Sequence, residues 1–366
     1  VLLKNEGVLP INKSVKTIAI IGPLADAPHD QMGTWVMDGK KANSVTPLNA
    51  ISEKAKELGI KVIYERALTF SRSKEISNKE AVVKAARQAD LVLLFLGEES
   101  ILSGESHCLA NIDLPGAQEE LTSIIADQKK PVATIIMAGR PLTFERIIDK
   151  TSAILYAMHG GTMAGPAISD LLFGIESPSG KLPVTFPRHV GQIPLYYNHR
   201  NTGKPANNST WQKLEDIPVE APQLSIGNTS HYLDYGFEPM YPFGFGLSYT
   251  TFEYNNLKIK KEKLKQTDIA KVTVEVKNTG NYDADEVVQL YIRDLVASRA
   301  RAVKELKRFK RVHLVKGEST VVTFELPVAE LGFHNQKMNY TVEPGDFNLW
   351  VGGCSNNGLM TKFSVE

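Results

Sequence analysis

The residues best suited to chemistry lie in one loop, residues 97–118 (GEESILSGESHCLANIDLPGAQ), after the apolar run 91–96. The loop holds two Gly-Glu pairs, Gly97-Glu98 and Gly104-Glu105. Glycine beside a carboxylate lets the backbone turn sharply and bring the side chain close to a ligand. A carboxylic acid at such a tip acts as a general acid when burial or a neighbouring charge raises its pKa. On residue type alone the signal is weak, because a loop glutamate is usually solvated and inert. A second segment, residues 138–145 (AGRPLTFE), offers Arg140, which can bind an anion or orient a carboxylate. The favoured reading there is plainer: Gly139-Arg140-Pro141 starts a helix with Pro near N1. Trp35, in the Gly-bounded stretch 33–40 (GTWVMDGK), suits either stacking on a sugar or burial.

Such loops do chemistry only when a rigid frame presents them. Residues 17–22 (TIAIIG) form a short β-branched run ending in glycine. Residues 46–59 have helical spacing, with Thr46 as N-cap and Pro47 at N1. Residues 61–64 read as a strand, 78–89 as a helix and 91–96 (LVLLFL) as a continuously apolar strand. A helix over 115–127, strands over 132–137 and 153–156, and a helix over 162–173 complete the series. Apolar strands separated by helices specify a mostly parallel sheet covered on both faces, an α/β sandwich placed at 1–195. Ligands of such sheets bind at the C-terminal strand ends, where 97–118 and 138–145 fall.

Residues 196–253 are rich in Asn, Gly, Pro and Tyr and read as a long ordered connector. From 254 to 366 the pattern becomes strictly alternating, as in 269–278, 286–293, 320–326 and 347–351. Turn signals separate these runs at Asn278-Thr279-Gly280-Asn281, Lys316-Gly317-Glu318 and Pro344-Gly345-Asp346. About seven short strands of this kind specify an all-β sandwich of fibronectin type III or immunoglobulin style.

The 366 residues carry 42 Lys+Arg against 41 Asp+Glu, with 42% hydrophobic residues, as expected of soluble globular domains. Near-neutrality argues against nucleic acid as a partner. Residues 299–316 are a local exception, with eight basic residues and only Glu305 acidic. They read as a solvated strand face, and secondarily as a surface for an acidic partner. No apolar run reaches the roughly 18 residues of a membrane span, so no membrane partner is expected. The opening VLLKNEGVLP at Val1 reads as the internal start of a cut or truncated product, which leaves the compartment open. Oligomeric state is not specified.

Several chemistries are excluded. Ile21-Gly22-Pro23 after the first strand lacks a dinucleotide fingerprint. No G-x-S-x-G elbow occurs. The eight histidines lack metal-ligand spacing, and His107-Cys108 has no second pair nearby. Neither a metal nor a cofactor is expected. Cys108 and Cys354 are expected to be free or buried thiols.

Taken in order, several segments resemble glycoside hydrolase family 3, and within it the bacterial periplasmic β-glucosidase group. They are 1–10 (VLLKNEGVLP), 18–22, 97–118, 137–141 (MAGRP), 168–186 (ISDLLFGIESPSGKLPVTF), 190–197 (VGQIPLYY) and 241–252 (YPFGFGLSYTTF). The tail segments 272–280, 287–291 and 304–310 fit as well, so the resemblance covers nearly the whole chain. It implies three domains: an N-terminal TIM-like barrel, an α/β sandwich and a fibronectin type III-like domain. The present sequence corresponds to the last two.

In that family the barrel supplies the Asp nucleophile and the sandwich supplies the acid/base Glu, on a loop reaching over the barrel. The resemblance therefore assigns Glu105 as general acid/base, with Glu98 as runner-up or as a loop-shaping carboxylate. A retaining glycosidase needs two carboxyl groups about 5–5.5 Å apart, one to attack the anomeric carbon and one to protonate the leaving oxygen. The implied substrates are short β-glucosides cleaved from the non-reducing end. This chain alone is expected to be inactive, with a barrel domain as the partner that completes the site. One departure stands out: Leu109 occupies about the place where family loops carry Arg, and His107 is a candidate to take over part of that role. A periplasmic or secreted location is implied by the resemblance alone. Two alternatives remain: a non-catalytic carbohydrate-binding or scaffold module using Trp35, and a family member acting on another sugar such as a β-xyloside.

Overall fold

The computed structural model describes residues 1–223 and 229–366. Contacts divide the chain into two compact units, residues 1–180 with 246–249, and residues 181–245 with 250–366. Among the described residues, no helix is long and apolar enough to cross a membrane.

The first unit is built on six strands: β1 (Leu2–Asn5), β2 (Thr17–Ile21), β3 (Lys61–Glu65), β4 (Leu91–Gly97), β5 (Val132–Met137) and β6 (Ala153–Tyr156). They form one sheet in the order β1-β6-β5-β4-β2-β3. All pairs are parallel except β1 with β6. The helices are α1 (Pro47–Glu57), α2 (Lys79–Gln88), α3 (Gln118–Ala126), α4 (Glu145–Ile148) and α5 (Ala164–Leu172). Every residue of β4 is buried, as a central strand covered on both faces requires. Its side chains alternate between faces. Leu91, Leu93 and Phe95 join Ile18, Ile20, Ile135 and Met137 in a core that includes Ile51 of α1 and Ile168 and Leu172 of α5. The helices fall into two packed groups, α1 with α5, and α2 with α3 and α4.

Local signals set most boundaries. The Thr46 hydroxyl accepts a hydrogen bond from the Asn49 amide at 3.3 Å, and Pro47 opens α1. Two expectations are corrected. The helix expected from 115 starts only at Gln118, because Gly116, at φ 65°, is pressed against the backbone of Arg72 and Ser73. The helix expected at Gly139-Arg140-Pro141 starts only at Glu145. The intervening backbone bends at Gly139-Arg140 and then enters a bridge instead: the Thr143 amide donates to the Ile112 carbonyl at 2.8 Å, and Asp113 and Thr143 form a parallel bridge. Strand β1 at the sheet edge was not anticipated.

In the second unit the strands are β7 (Phe252–Ile259), β8 (Lys263–Leu264), β9 (Ile269–Asn278), β10 (Ala284–Asp294), β11 (Glu305–Leu314), β12 (Ser319–Pro327), β13 (Phe333–His334), β14 (Tyr340–Thr341), β15 (Gly345–Gly352) and β16 (Leu359–Val365). One sheet runs β11-β10-β15-β16-β8 and a second β12-β9-β7, with a short β13-β14 ribbon. Inward residues of both sheets, among them Val272, Val274, Val276, Val288, Leu290, Ile292, Phe324 and Leu349, share one core. This is the sandwich that strict alternation specifies.

The connector expected over 196–253 includes residues 224–228, which lie outside the described residues. Its other residues up to 245 belong to the second unit and are held by isolated bridges, such as Arg200 with Ala302 and Tyr232 with Gly236. The basic run 299–316 falls largely on the edge strand β11, and much of its charge is paired within the unit. Arg308 makes two 2.7 Å bonds to Glu330, and Lys307 and Arg301 lie 2.9 and 3.0 Å from Glu305. Charge on an edge strand discourages pairing with another chain. Lys304 differs: it is only partly exposed and stands 4.5 Å from the Trp350 ring. Cys108 is exposed, Cys354 is buried, and both are free.

Candidate functional site

The loop after β4 is fixed from its first residue. Gly97 takes φ 135°, a conformation that L side chains rarely adopt, and a Cβ there would overlap the Met137 carbonyl of β5. On its other side lies Gln118, fully buried at the start of α3. The Gly97 amide donates to Gln118 Oε1, and Gln118 Nε2 donates to the Gly97 carbonyl, both at 2.7 Å. The Glu98 amide then donates to the Met137 carbonyl at 2.9 Å. These bonds carry β4 pairing one residue past its end and turn the Glu98 side chain inward.

Glu98 is fully buried. Its carboxylate accepts from the Gly139 amide at 3.2 Å and from Arg140 Nε at 3.1 and 3.2 Å. Burial raises its pKa, and Arg140 and the Gly139 amide oppose that rise. Arg140 reaches further with Nη2, donating to the carbonyls of Leu102 and, at 3.1 Å, His107. The backbone of Arg140 is itself held, because the buried Tyr156 hydroxyl at the end of β6 donates to its carbonyl. The sequence favours a helix start at Arg140 over a carboxylate-orienting role, and the structure corrects that preference. It orients Glu98.

Downstream of Glu98 the loop is tied to two further loops. Glu99 accepts from the Ser71 hydroxyl and from Arg72 Nε at 3.0 Å. The Ser100 amide donates to Asp30 Oδ1 at 3.1 Å, and the Thr34 hydroxyl donates to the Ser100 carbonyl. A short 3-10 turn, Ser100–Ser103, leads to the tip. There the His107 amide donates to the Gly104 carbonyl at 3.1 Å, and Ser106 sits in the left-handed region at φ 62°. Glu105 occupies this turn between Gly104 and Ser106 and is exposed. Leu102 and His107, the two carbonyls that Arg140 binds, flank it on either side.

The other expected residues gather partly around this tip. His107 is exposed, with its ring Nδ1 bonded to the Ile101 carbonyl, so it closes the turn. Trp35 is 63% exposed. Its neighbour Thr34 bonds the 3-10 turn, and a Cβ at Gly104 would touch the Thr34 methyl, so the Trp35 loop and the Glu105 turn pack together. Leu109 is exposed and lines an open cavity of about 480 Å³ bordered by Arg72, Asp113 and Arg146. Both arginines are engaged there, Arg72 with Glu99 at 3.0 Å and Arg146 with Glu119 at 3.3 Å. Among the described residues no cluster of three or more His, Cys, Asp or Glu has metal-binding geometry.

Residues that sequence reasoning missed are Asp30, Thr34, Ser71, Gln118, Tyr156 and His159. Gln118 ends the segment 97–118 but has no role readable there, and the others belong to no motif; each is singled out only by which loop it reaches. His159 lies just past β6, between the backbones of Gly33 and Gly139. Both its ring nitrogens are shielded from solvent without a well-formed hydrogen bond, and burial lowers its pKa while Asp30 opposes that shift.

Comparison with known proteins gives this arrangement a lineage. Residues 1–249 match the glycosyl hydrolase family 3 C-terminal domain, and residues 286–355 match the fibronectin type III-like domain. A periplasmic beta-glucosidase of Salmonella typhimurium is 38% identical over 96% of this chain and 46% of its own length. A beta-xylosidase of Formosa agariphila is 35% identical over 97% of this chain and 47% of its own. The crystal structure of a beta-glucosidase from Listeria innocua in complex with isofagomine superposes with a TM-score of 0.89 at 36% identity. It covers 100% of this chain and 48% of that one. The chain thus spans about half the length of the relatives it matches. It belongs to glycoside hydrolase family 3, of which it carries the C-terminal α/β domain and the fibronectin type III-like domain.

Proposed function

We infer that this chain is the C-terminal part of a retaining β-glucosidase acting on terminal, non-reducing β-glucosyl residues of short β-glucosides. Glu105 is its general acid/base, and a TIM-like barrel outside this sequence carries the Asp nucleophile. What supports the reading is the Glu105 turn: an exposed carboxylate on a tip braced by Arg140 through the flanking carbonyls, at the C-terminal edge of a parallel sheet. An exposed position suits a group that must meet a sugar held by another domain. Glu98, buried against Arg140, cannot reach such a sugar without breaking its ion pair, so its part is structural.

In the first step Glu105 donates its proton to the leaving oxygen as the Asp nucleophile attacks the anomeric carbon. In the second it takes a proton from the water that hydrolyses the glycosyl-enzyme. Trp35 stands beside this turn as an apolar platform for a sugar face. Domain limits of 1–195, 196–253 and 254–366 and a periplasmic or secreted location belong to the same proposal. The location is supported by the name of the Salmonella relative.

A second reading, a β-xylosidase, is favoured by the Formosa relative. A nitrophenyl glycoside panel on the full-length protein separates the two. The β-glucoside is expected to show the highest kcat/KM; a β-xyloside preferred by tenfold or more, on the order of a single pocket contact, supports the second reading. Absence of turnover on every glycoside overturns both.

A further inference from the structure

We propose that Arg140, held by Glu98, is the positioning residue that sets the geometry of the Glu105 turn. The proposal rests on the assignment of Glu105 and goes beyond it, because the Arg140 guanidinium is bound to Glu98 and to the carbonyls of Leu102 and His107.

The observations converge on one guanidinium. Its Nε is bound to the Glu98 carboxylate, and its Nη2 is shared between the carbonyls of Leu102 and His107. Those carbonyls lie three residues before and two residues after Glu105, so one rigid planar group spans the base of the turn. Arginine suits this task because its donors sit in a fixed fork, whereas a lysine ammonium is a single point of charge on a flexible stem. Glu98 fixes the fork's rotation. It is buried, its amide is bound by Met137 of β5, and Gln118 holds the preceding Gly97. Tyr156 fixes the Arg140 backbone from the end of β6. The turn carrying Glu105 is therefore tied to three adjacent strands of the sheet through one side chain. Gly139 adds a steric check, since a Cβ there would overlap Ser103 of the same turn.

A general acid must sit within hydrogen-bond reach of the oxygen it protonates, and small misplacements are costly. Loosening the turn should thus harm proton donation more than nucleophilic attack.

The test uses the full-length protein with Arg140→Ala, Arg140→Lys and Glu98→Gln, read by hydrogen exchange and by aryl β-glucosides of graded leaving-group pKa. Arg140→Ala should speed exchange over residues 103–108 at least about tenfold while residues 91–96 stay protected. Its kcat/KM should fall about a hundredfold for poor leaving groups and less than tenfold for dinitrophenyl glucoside. Arg140→Lys keeps the charge beside Glu98 but cannot span both carbonyls, and should lie between. If Arg140→Ala does not fold, Arg140→Lys and Glu98→Gln carry the same comparison. Unchanged exchange in a folded variant, or equal losses across all leaving groups, overturns the proposal. If exchange rises as expected but Glu105→Ala leaves the leaving-group dependence unchanged, the assignment of Glu105 fails while the brace stands.

Discussion

Gln118 and Gly97 form a closed pair: the side-chain amide of one satisfies both the N–H and the C=O of the other at 2.7 Å. Gln118 Nε2 also reaches the Ser71 carbonyl at 2.9 Å. The fully buried amide thus serves as a substitute neighbour strand at the point where β4 runs out of partners on that side. Gln118→Ala leaves the Gly97 amide and carbonyl buried and unsatisfied. A loss of about 2–4 kcal/mol is expected, since each such group costs about 1–3 kcal/mol. Urea unfolding followed by tryptophan fluorescence measures it, and a loss below about 0.5 kcal/mol contradicts the role assigned to Gln118.

Gly97→Ala should be more damaging still. Its φ of 135° is one that L side chains rarely adopt, and the added carbon overlaps the Met137 carbonyl. A loss of at least about 3 kcal/mol, or an insoluble protein, is expected. Gly7→Ala is a useful contrast: that glycine has positive φ but open space around it, so its cost is only the backbone penalty of about 1 kcal/mol. Thermal unfolding of the two variants compares them directly.

His159 predicts a pH dependence. Burial lowers its pKa in the folded protein below the ordinary 6.5, with Asp30 acting in the opposite direction. The unfolded chain therefore binds a proton that the folded one resists. Stability from this group is fully present above pH 6.5 and is lost as the pH falls from there through the folded pKa. His159→Phe removes a titrating group and should flatten the slope of melting temperature between neutral and mildly acidic pH. An unchanged slope contradicts it.

How far the sequence could be read follows from where the information is local. Strand β4 is apolar at every position because both its faces are covered, and Thr46-Pro47 marks the start of α1 by capping chemistry alone. The alternation of β9 declares a sandwich strand before any contact is known. By contrast, the brace of the Glu105 turn is assembled from Arg140, Glu98 and Tyr156, at the ends of three strands, and Gln118, at the start of α3, which meet only in the folded sheet. Arg140 beside Pro141 looked like a helix start, and it is not one because Thr143 is drawn into a bridge with Asp113. Asp30 and Ser71 act through hydrogen bonds to Ser100 and Glu99 of the loop and leave no pattern along the chain.

In the second unit Lys304 is the group to titrate. Its ammonium donates to the Ser355 carbonyl and faces the rings of Trp350 and Tyr291, and burial lowers its pKa to about 8. The folded pKa lies below the ordinary 10.5, so stability from this lysine is present above that value and is lost as the pH falls through about 8. Mass spectrometry of pulse acetylation across pH should give Lys304 a midpoint near 8, below those of the exposed lysines. A midpoint above 10 contradicts the assignment.

The most direct measurement is azide rescue of Glu105→Ala in the full-length protein, with dinitrophenyl β-glucoside as substrate. This leaving group departs without a proton, so the glycosyl-enzyme still forms, and azide can attack it without general-base help. Turnover should rise with azide, and the product should be β-glucosyl azide, the retained anomer. Wild-type-like activity on poor leaving groups, or no acceleration by azide, contradicts Glu105 as the acid/base.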